Sequence, residues 1–219
     1  AAGVRVAAVI DSRAEVRSTA EYPVYRNAQV SNSQGGKELE SISILVNGKT
    51  EKIQTDCLAM SGGWNPSVHL TCHMNGRPTW RADIQADALG KKAPDSALPQ
   101  TEDAPYNLAP LWAVAGKGRA WLDFQNDVCV KDVKQAVVEN FRSVEHMKRY
   151  TTQGMATDQG KNSNVAALAV LADATGRGIP KTGTTTFRPP YSPVSIAAMG
   201  AGAQGQGFAP QRFTTSHRA

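Results

Sequence analysis

Val4-Arg5-Val6-Ala7-Ala8-Val9-Ile10 is a β-branched apolar run that stops at Asp11, the pattern of a buried strand. Two shorter strand patterns follow, at Tyr22 to Tyr25 and at Ile42-Ser43-Ile44-Leu45-Val46. Asn47-Gly48 comes directly after the second, and this dipeptide is the strongest short-range hairpin signal. Gln34-Gly35-Gly36-Lys37 marks the turn before it, so this part reads as an antiparallel appendage to an α/β layer. Asp56-Cys57-Leu58-Ala59-Met60 predicts another buried strand, closed by Ser61-Gly62-Gly63-Trp64-Asn65-Pro66. Ala82 to Leu89 predicts a short Ala-rich helix. Lys91 to Pro110, with Pro94, Pro99, Pro105 and Pro110 among several acids, predicts an extended connector and the domain boundary.

From Asp127 the period turns helical. Val133, Ala136, Val137 and Phe141 share one helical face. Ser143 is placed to cap a second helix that runs through Val144, Met147 and Tyr150 to Gly154, a C′ glycine. The loop Met155 to Asn162 leads to Ser163 as a further N-cap. The third helix, Val165 to Ala172, is apolar throughout and ends near Gly176. Three short helices around one loop make a unit too small to stand alone comfortably. Thr182 to Tyr191 is irregular and stiffened at its end by Pro189-Pro190. Gly200 to Gly207 reads as a tether, and Arg212 to Ala219 as the opening of something that continues.

Composition adjusts this picture in a few places. A hydrophobic share of 41% supports a real core. No apolar run approaches the ~20 residues of a membrane span, and no basic-then-apolar leader opens the chain. The chain starts without Met, which points to a processed or incomplete polypeptide. The net charge of +5 raises nucleic acid as a partner. Lys and Arg are spread thinly, however, with pairs such as Lys148-Arg149 sitting in a helix, so no nucleic-acid site is expected. Three cysteines, Cys57, Cys72 and Cys129, are odd in number and widely spaced, as reduced cytoplasmic thiols would be.

The candidate chemistry is sparse. Asp11 at a strand end is either a ribose acceptor or a plain strand-end residue; a phosphate loop about 20 residues upstream would accompany the first role, and the sequence has none. Gly160-Lys161 before a helix start fails the Walker pattern, because five residues separate Gly154 from Gly160 and Asn162 follows the lysine. A lysine beside a helix N-terminus still suits an anion, or the pair serves as an interhelical cap. Thr184, Thr185 and Thr186 with Arg188 suit a phosphate or carboxylate, or a loop threading between domains. His69, Cys72 and His73 resemble a metal cluster, but zinc needs three or four ligands with a second group elsewhere. His146 and His217 are far off, so these read as loop and strand-end residues. No nucleophile–base pair, metal set or carboxylate dyad is present, and no catalytic residue is assigned.

Ser61-Gly62-Gly63-Trp64-Asn65-Pro66-Ser67-Val68-His69-Leu70 closely resembles the alpha (large) subunits of heterotetrameric sarcosine oxidases. The resemblance continues through Asp123-Phe124-Gln125-Asn126-Asp127-Val128, Phe141 to His146, Lys148 to Thr152, Gly154 to Lys161 and Thr184 to Tyr191, covering nearly the whole chain. It implies a subunit with a dinucleotide-binding module, a small helical module and a C-terminal folate-binding module. It places this chain in the middle, from the second strand of the first module to just short of the last. The implied enzyme oxidises sarcosine on an FAD in a beta subunit and passes electrons to an FMN at the alpha–beta interface, where oxygen is reduced. The C1 unit leaves on tetrahydrofolate, and the large subunit binds NAD. The implied partners are that beta subunit with the amine site, smaller subunits and the remainder of the alpha subunit. If the chain contributes to a cofactor site, the candidates are Lys161 with Thr184, Thr185, Thr186 and Arg188 at the FMN phosphate, and Asp11 on the nucleotide side.

The helical module also resembles the bacterioferritin-associated ferredoxin type, which holds a [2Fe–2S] cluster through two Cys pairs. Here the ligand positions fall on Asp123, Gln125, Asp158 and Ser163, and Cys129 lies off them. A cluster needs thiolates, so none is expected. The family also carries some tens of residues more between Trp80 and Ala88, including a Gly/Ala-rich segment at the nucleotide. That stretch is supplied by another chain, lies outside the sequence in hand or is deleted, and NAD binding by this chain alone is in doubt. The expected fold is therefore α/β: residues 1–90 a partial FAD/NAD-binding, Rossmann-like module; 91–118 a Pro-rich connector; 119–178 a small all-α helical module; 179–219 an extended linker. The alternative function is a cofactor-free docking module of a multi-subunit amine dehydrogenase or oxidase.

Overall fold

The computed structural model describes residues 3–19, 21–62, 65–82, 86–88 and 110–200. Residues 91–109 of the connector expected at 91–118, the tether beyond Gly200 and the chain end lie outside these residues. Asn47 and Gly48 both take left-handed φ, 49° and 76°, and turn β4 (Ser41–Val46) back into β5 (Lys49–Gln54). The pairing is unbroken from Ser41↔Gln54 to Val46↔Lys49. A left-handed two-residue turn matches the twist of the flanking strands, which is why this dipeptide sets the register. β3 (Ala28–Gln34) pairs on the other side of β4, with a bulge between Val30 and Asn32. Ile42 and Ile44 point into the core at 2% and 0% exposure, giving the period of two a half-buried sheet requires.

The first apolar run forms less strand than its composition predicts. Only β1 (Val9–Ile10) pairs, in parallel, with β2 (Val24–Tyr25), while Val4 is 80% exposed. Asp56 to Met60 forms no strand, and Met60 is 85% exposed. Both corrections have one cause. A strand buried on two faces needs neighbours on both edges, and none of the described residues supplies a second edge to either run. Ala86–Ala88 is a third correction: it is strand β7, paired antiparallel with β6 (Thr79–Arg81), rather than helix. The offered backbone partner overrides alanine's helix propensity.

The later part is helical as its period predicts, except that the module expected to be all-α at 119–178 opens on a β-hairpin, because Val128 and Cys129 find a strand partner in Trp121 to Asp123. A hairpin of β8 (Trp121–Asp123) and β9 (Val128–Cys129) runs directly into α2 (Val130–Val138), followed by α3 (Val144–Thr151) and α4 (Asn164–Ala174). Val133 and Ala136 are fully buried, and Val137 and Phe141 pack partly buried against the same core, so the expected face is the observed one. Ala167 to Ala172 is buried without interruption; a helix apolar on every side belongs at the centre. α5 (Ile179–Thr182) and α6 (Ile196–Met199) are single turns. Among the described residues no helix is long and apolar enough to cross a membrane.

Two helix ends differ from expectation. α3 ends at Thr152, which takes the left-handed φ of 63°, two residues before Gly154. Ser163 precedes α4 without capping it, because its hydroxyl accepts a bond from Gln153 instead. Ser143 does cap α3: its Oγ accepts the His146 N–H at 3.2 Å. Ser143→Ala is expected to lose about 1 kcal/mol of stability. The urea midpoint would report this, and an unchanged midpoint would show that the cap contributes nothing.

Candidate functional site

After α5 the chain leaves as a strap, residues 183–191, that touches both parts of the molecule. At its start Thr184 Oγ1 donates to the Pro78 carbonyl at 2.9 Å, just ahead of β6. Phe187 then packs on the His69 ring at a centroid distance of 3.9 Å, and Tyr191 meets the same ring edge-on at 5.7 Å. His69 belongs to α1 (His69–His73), a short helix where sequence reasoning expected loop. At the strap's far end Gln159 Nε2 donates to the Pro190 carbonyl at 2.9 Å, and Lys161 Nζ donates to the Tyr191 carbonyl at 2.6 Å. The same ammonium lies 5.1 Å over the Tyr191 ring. The Pro189–Pro190 peptide is cis.

This geometry brings together five of the six residues singled out from sequence and divides them by role. Lys161 and Thr184 hold the strap, and Thr185 is buried at 3% exposure. Thr186 and Arg188 are exposed to solvent. Asp11 is elsewhere, at the end of β1. Its Oδ1 accepts from Arg13 Nε at 2.9 Å and from the Arg13 backbone N–H at 2.9 Å, and its Oδ2 accepts from the other guanidinium nitrogen at 2.7 Å. The hydrogen-bonded guanidinium holds the Asp11 carboxyl below its usual range.

Below the strap, two loops are fastened by side chains. Asp123 is 3% exposed. Its Oδ1 accepts the Gln125 and Asn126 N–H groups at 2.9 and 3.2 Å, and its Oδ2 accepts the Gly154 N–H at 2.8 Å. Gln125 Oε1 accepts from the Thr157 hydroxyl at 3.0 Å and, at 3.4 Å, from the Asp158 N–H. Asn126 Nδ2 reaches the Thr152 carbonyl at 2.8 Å. On the inner side Gln153 Nε2 donates to Ser163 Oγ and Asn164 Oδ1, and Asn164 Nδ2 donates to the Gln159 carbonyl. A Cβ on Gly154 or Gly160 would run into the Asn164 amide, so both glycines are fixed by that close approach. Sequence reasoning missed Gln153 and Asn164; the two glycines framing the loop were the available sign.

The positions on which the ferredoxin resemblance places ligands, Asp123, Gln125, Asp158 and Ser163, lie in and beside these two loops. Asp123 and Gln125 bond across to the second loop, the Asp158 N–H donates one of those bonds, and Ser163 bonds to Gln153. None of the four is a thiolate, so this donor set does not fit an iron–sulfur centre. Among the described residues no group of three or more His, Cys, Asp and Glu could hold a metal ion. The Nε2 atoms of His69 and His73 are buried without a hydrogen-bond partner among the described residues. Burial first, then the charges of Lys161 and His73, push the His69 pKa below its ordinary value.

The chain's fold is shared with L-proline dehydrogenase from P. horikoshii, at a TM-score of 0.58 over 87% of this chain and 49% of that one, with 14% identity. Residues 117–203, which carry the loops and the strap, match the sarcosine oxidase A3 domain. The sarcosine oxidase subunit alpha of Rhizobium meliloti (strain 1021) is 39% identical over 99% of this chain and 26% of its own length. That of Corynebacterium sp. (strain U-96) is 31% identical over 99% of this chain and 29% of its own. The chain belongs to the family of sarcosine oxidase alpha subunits. It spans between a quarter and a third of the length of these relatives.

Two outcomes are expected. Asp123→Ala leaves three backbone N–H groups without their acceptor, two in the first loop and one in the second. It should lower stability by about 3 kcal/mol or more in denaturant titration; a loss below about 1 kcal/mol would mean the loops hold without the carboxylate. His69 titrates at a lower pH folded than unfolded, so its neutral form is the one the fold accepts. Stability is then complete above the unfolded value of about 6.5 and declines as pH falls below it. His69→Phe keeps an aromatic ring under Phe187 and cannot titrate. Its thermal midpoint should fall less than the wild type's between pH 8 and pH 5, and an equal fall would refute the assignment.

Proposed function

We propose that this chain is a non-catalytic part of the alpha subunit of a sarcosine-oxidase-type complex, where it walls the FMN at the subunit interface. In that reading sarcosine is demethylated oxidatively on the FAD of a beta subunit, electrons pass to the FMN and then to oxygen, and the C1 unit goes to tetrahydrofolate. Residues 1–90 are part of a Rossmann-like nucleotide module, 119–178 are a ferredoxin-type helical module without its cluster, and 179–219 lead toward the folate module. The observation that carries the FMN assignment is the strap. It is held at both ends and leaves the hydroxyl of Thr186 and the guanidinium of Arg188 exposed. A guanidinium with a neighbouring hydroxyl is a phosphate-binding pair. Phe124 and Met155, 79% and 55% exposed, flank the Asp123–Gly154 bond and give that face apolar surface for a partner.

FMN supplies the electron transfer when bound. The chain's part is to bind and orient: Lys161 and Thr184 set the strap, and Thr186 and Arg188 meet the phosphate. One observation favours the alternative of a cofactor-free docking module, namely that Lys161 Nζ and Thr184 Oγ1 already have protein partners. Arg188→Ala separates the two readings. In the assembled complex it should lower FMN content severalfold while subunit composition stays the same. Full flavin occupancy in an intact complex would leave the docking reading standing.

A further inference from the structure

We infer that His69 is a proton-operated latch: neutral, it holds the strap against α1, and protonated, it lets residues 187–191 go. The consequence for a ligand rests on reading the strap as the segment that meets the FMN phosphate. The latch itself rests on contacts within this chain.

His69 lies where the two aromatic rings of the strap converge. Phe187 covers its ring at a centroid distance of 3.9 Å and Tyr191 meets it edge-on at 5.7 Å, so the contacts lie on either side of Arg188 in the chain. Its Nδ1 is 3.4 Å from Ser67 Oγ, and its Nε2 is buried with no hydrogen-bond partner among the described residues. A neutral imidazole tolerates this, because Nδ1–H can donate to the hydroxyl and leave Nε2 as a bare lone pair. The imidazolium carries a donor on both nitrogens. Protonation therefore puts a charged N–H at Nε2 with nothing to accept it, which is unfavourable while the strap covers the ring.

No element around the ring supplies a compensating acid. α1 contributes a second imidazole, His73, and no carboxylate. The loop ahead of α4 contributes the Lys161 ammonium, and its one acid, Asp158, accepts the Gly160 N–H at 3.0 Å. The strap contributes the Tyr191 phenol and, between the two rings, the exposed Arg188. Burial first, then the charges of Lys161 and His73, act against a cation on His69. Aromatic faces attract cations, but that of Tyr191 is already taken by Lys161 Nζ, 5.1 Å from its centroid. Lifting the strap opens Nε2 to water, so proton uptake and strap docking oppose each other. At that end the strap is otherwise held by the Gln159 and Lys161 bonds, both solvent-exposed. Docking is complete above about pH 6.5 and weakens as the pH falls below it. Arg188 loses its fixed position over the same range.

NMR of the full chain from pH 8 to pH 5 tests this. The His69 ring should titrate with a midpoint below about 6.5. Its cross-ring NOEs to Phe187 and Tyr191 should disappear over the same range, while the resonances of buried Leu168 and Leu171 in α4 stay unchanged. In His69→Phe, which keeps a ring and loses the titration, the Phe187 and Tyr191 shifts should not move with pH. A midpoint at or above about 6.5 means that the rings hold the cation, and it overturns the latch. NOEs that survive below the midpoint overturn it too, as does their loss together with the Leu168 and Leu171 signals, which is global unfolding. The consequence is read separately, as FMN retained by the assembled complex: a severalfold loss from pH 7.5 to pH 5.5 that His69→Phe suppresses. An equal loss in the variant overturns the link between latch and flavin. A strap that lifts with all flavin retained refutes the FMN reading and leaves the latch standing.

Discussion

The carboxylate of Asp123 is the bond on which the helical part depends. The β8–β9 hairpin has three and two residues, too few for its ladder alone to set the geometry beyond it. What fixes the turn is Oδ1 on the Gln125 and Asn126 N–H groups, and what fixes the turn to the rest of the module is Oδ2 on Gly154. A buried carboxylate is unfavourable unless its oxygens are satisfied. Here each oxygen meets backbone donors that would themselves be unsatisfied without it. From Gly154 the constraint passes through Gln153 and Asn164 to Gly160, and from there to Gln159 and Lys161, which hold the strap. The position of Arg188 is therefore set, several links away, by one acid in the hairpin.

The module needs this polar frame because its apolar core is small. α2, α3 and α4 enclose only a few large fully buried side chains, among them Met147, Leu168 and Leu171. α4 is apolar on every side and must be covered all round, which is what α5 and the Trp112 side chain contribute at its margin. A core of this size fixes the helices to one another but not the long loop between α3 and α4. The loop is ordered by short-range geometry instead: left-handed backbone at Thr152, Gly154, Gln159 and Gly160, with Asn164 filling the space a Cβ would take.

What the sequence makes legible here is local. Asn47-Gly48 states its own turn, Ser143 its cap, and Val133, Ala136, Val137 and Phe141 their common face, because each pattern reports a preference realised within a few residues. The misreadings are those where a partner outside the segment decides. Val4 to Ala8 and Asp56 to Met60 have strand composition, but composition does not say whether an edge is available to pair with. Ala86 to Ala88 has helix composition and becomes strand because Thr79 to Arg81 lies beside it. His69 reads as a loop or strand-end residue from sequence, whereas its packing depends on Phe187 and Tyr191, far along the chain, and no periodicity links them. The candidate site shows the same division. The sequence picks out Lys161 and the 184–188 segment by residue type, yet only the fold shows that they bind each other's neighbourhood.

That contact changes how the six candidate residues act. A side chain that holds a strap through its only strong donor is poorly placed to hold a ligand with the same group, since the ligand must then displace a formed bond. Lys161 has one of its three N–H donors on Tyr191 and its charge over the Tyr191 ring, and Thr184 has its hydroxyl proton on Pro78. Thr184 is in that position, whereas Lys161 keeps two N–H donors beyond its strap bond. Arg188 and Thr186 keep their donors exposed on a backbone segment fastened at either end, so little ordering remains to oppose binding there. Asp11 follows the same logic: Arg13 already occupies both of its carboxylate oxygens. In both places the residue type that suggests a site already has a protein partner.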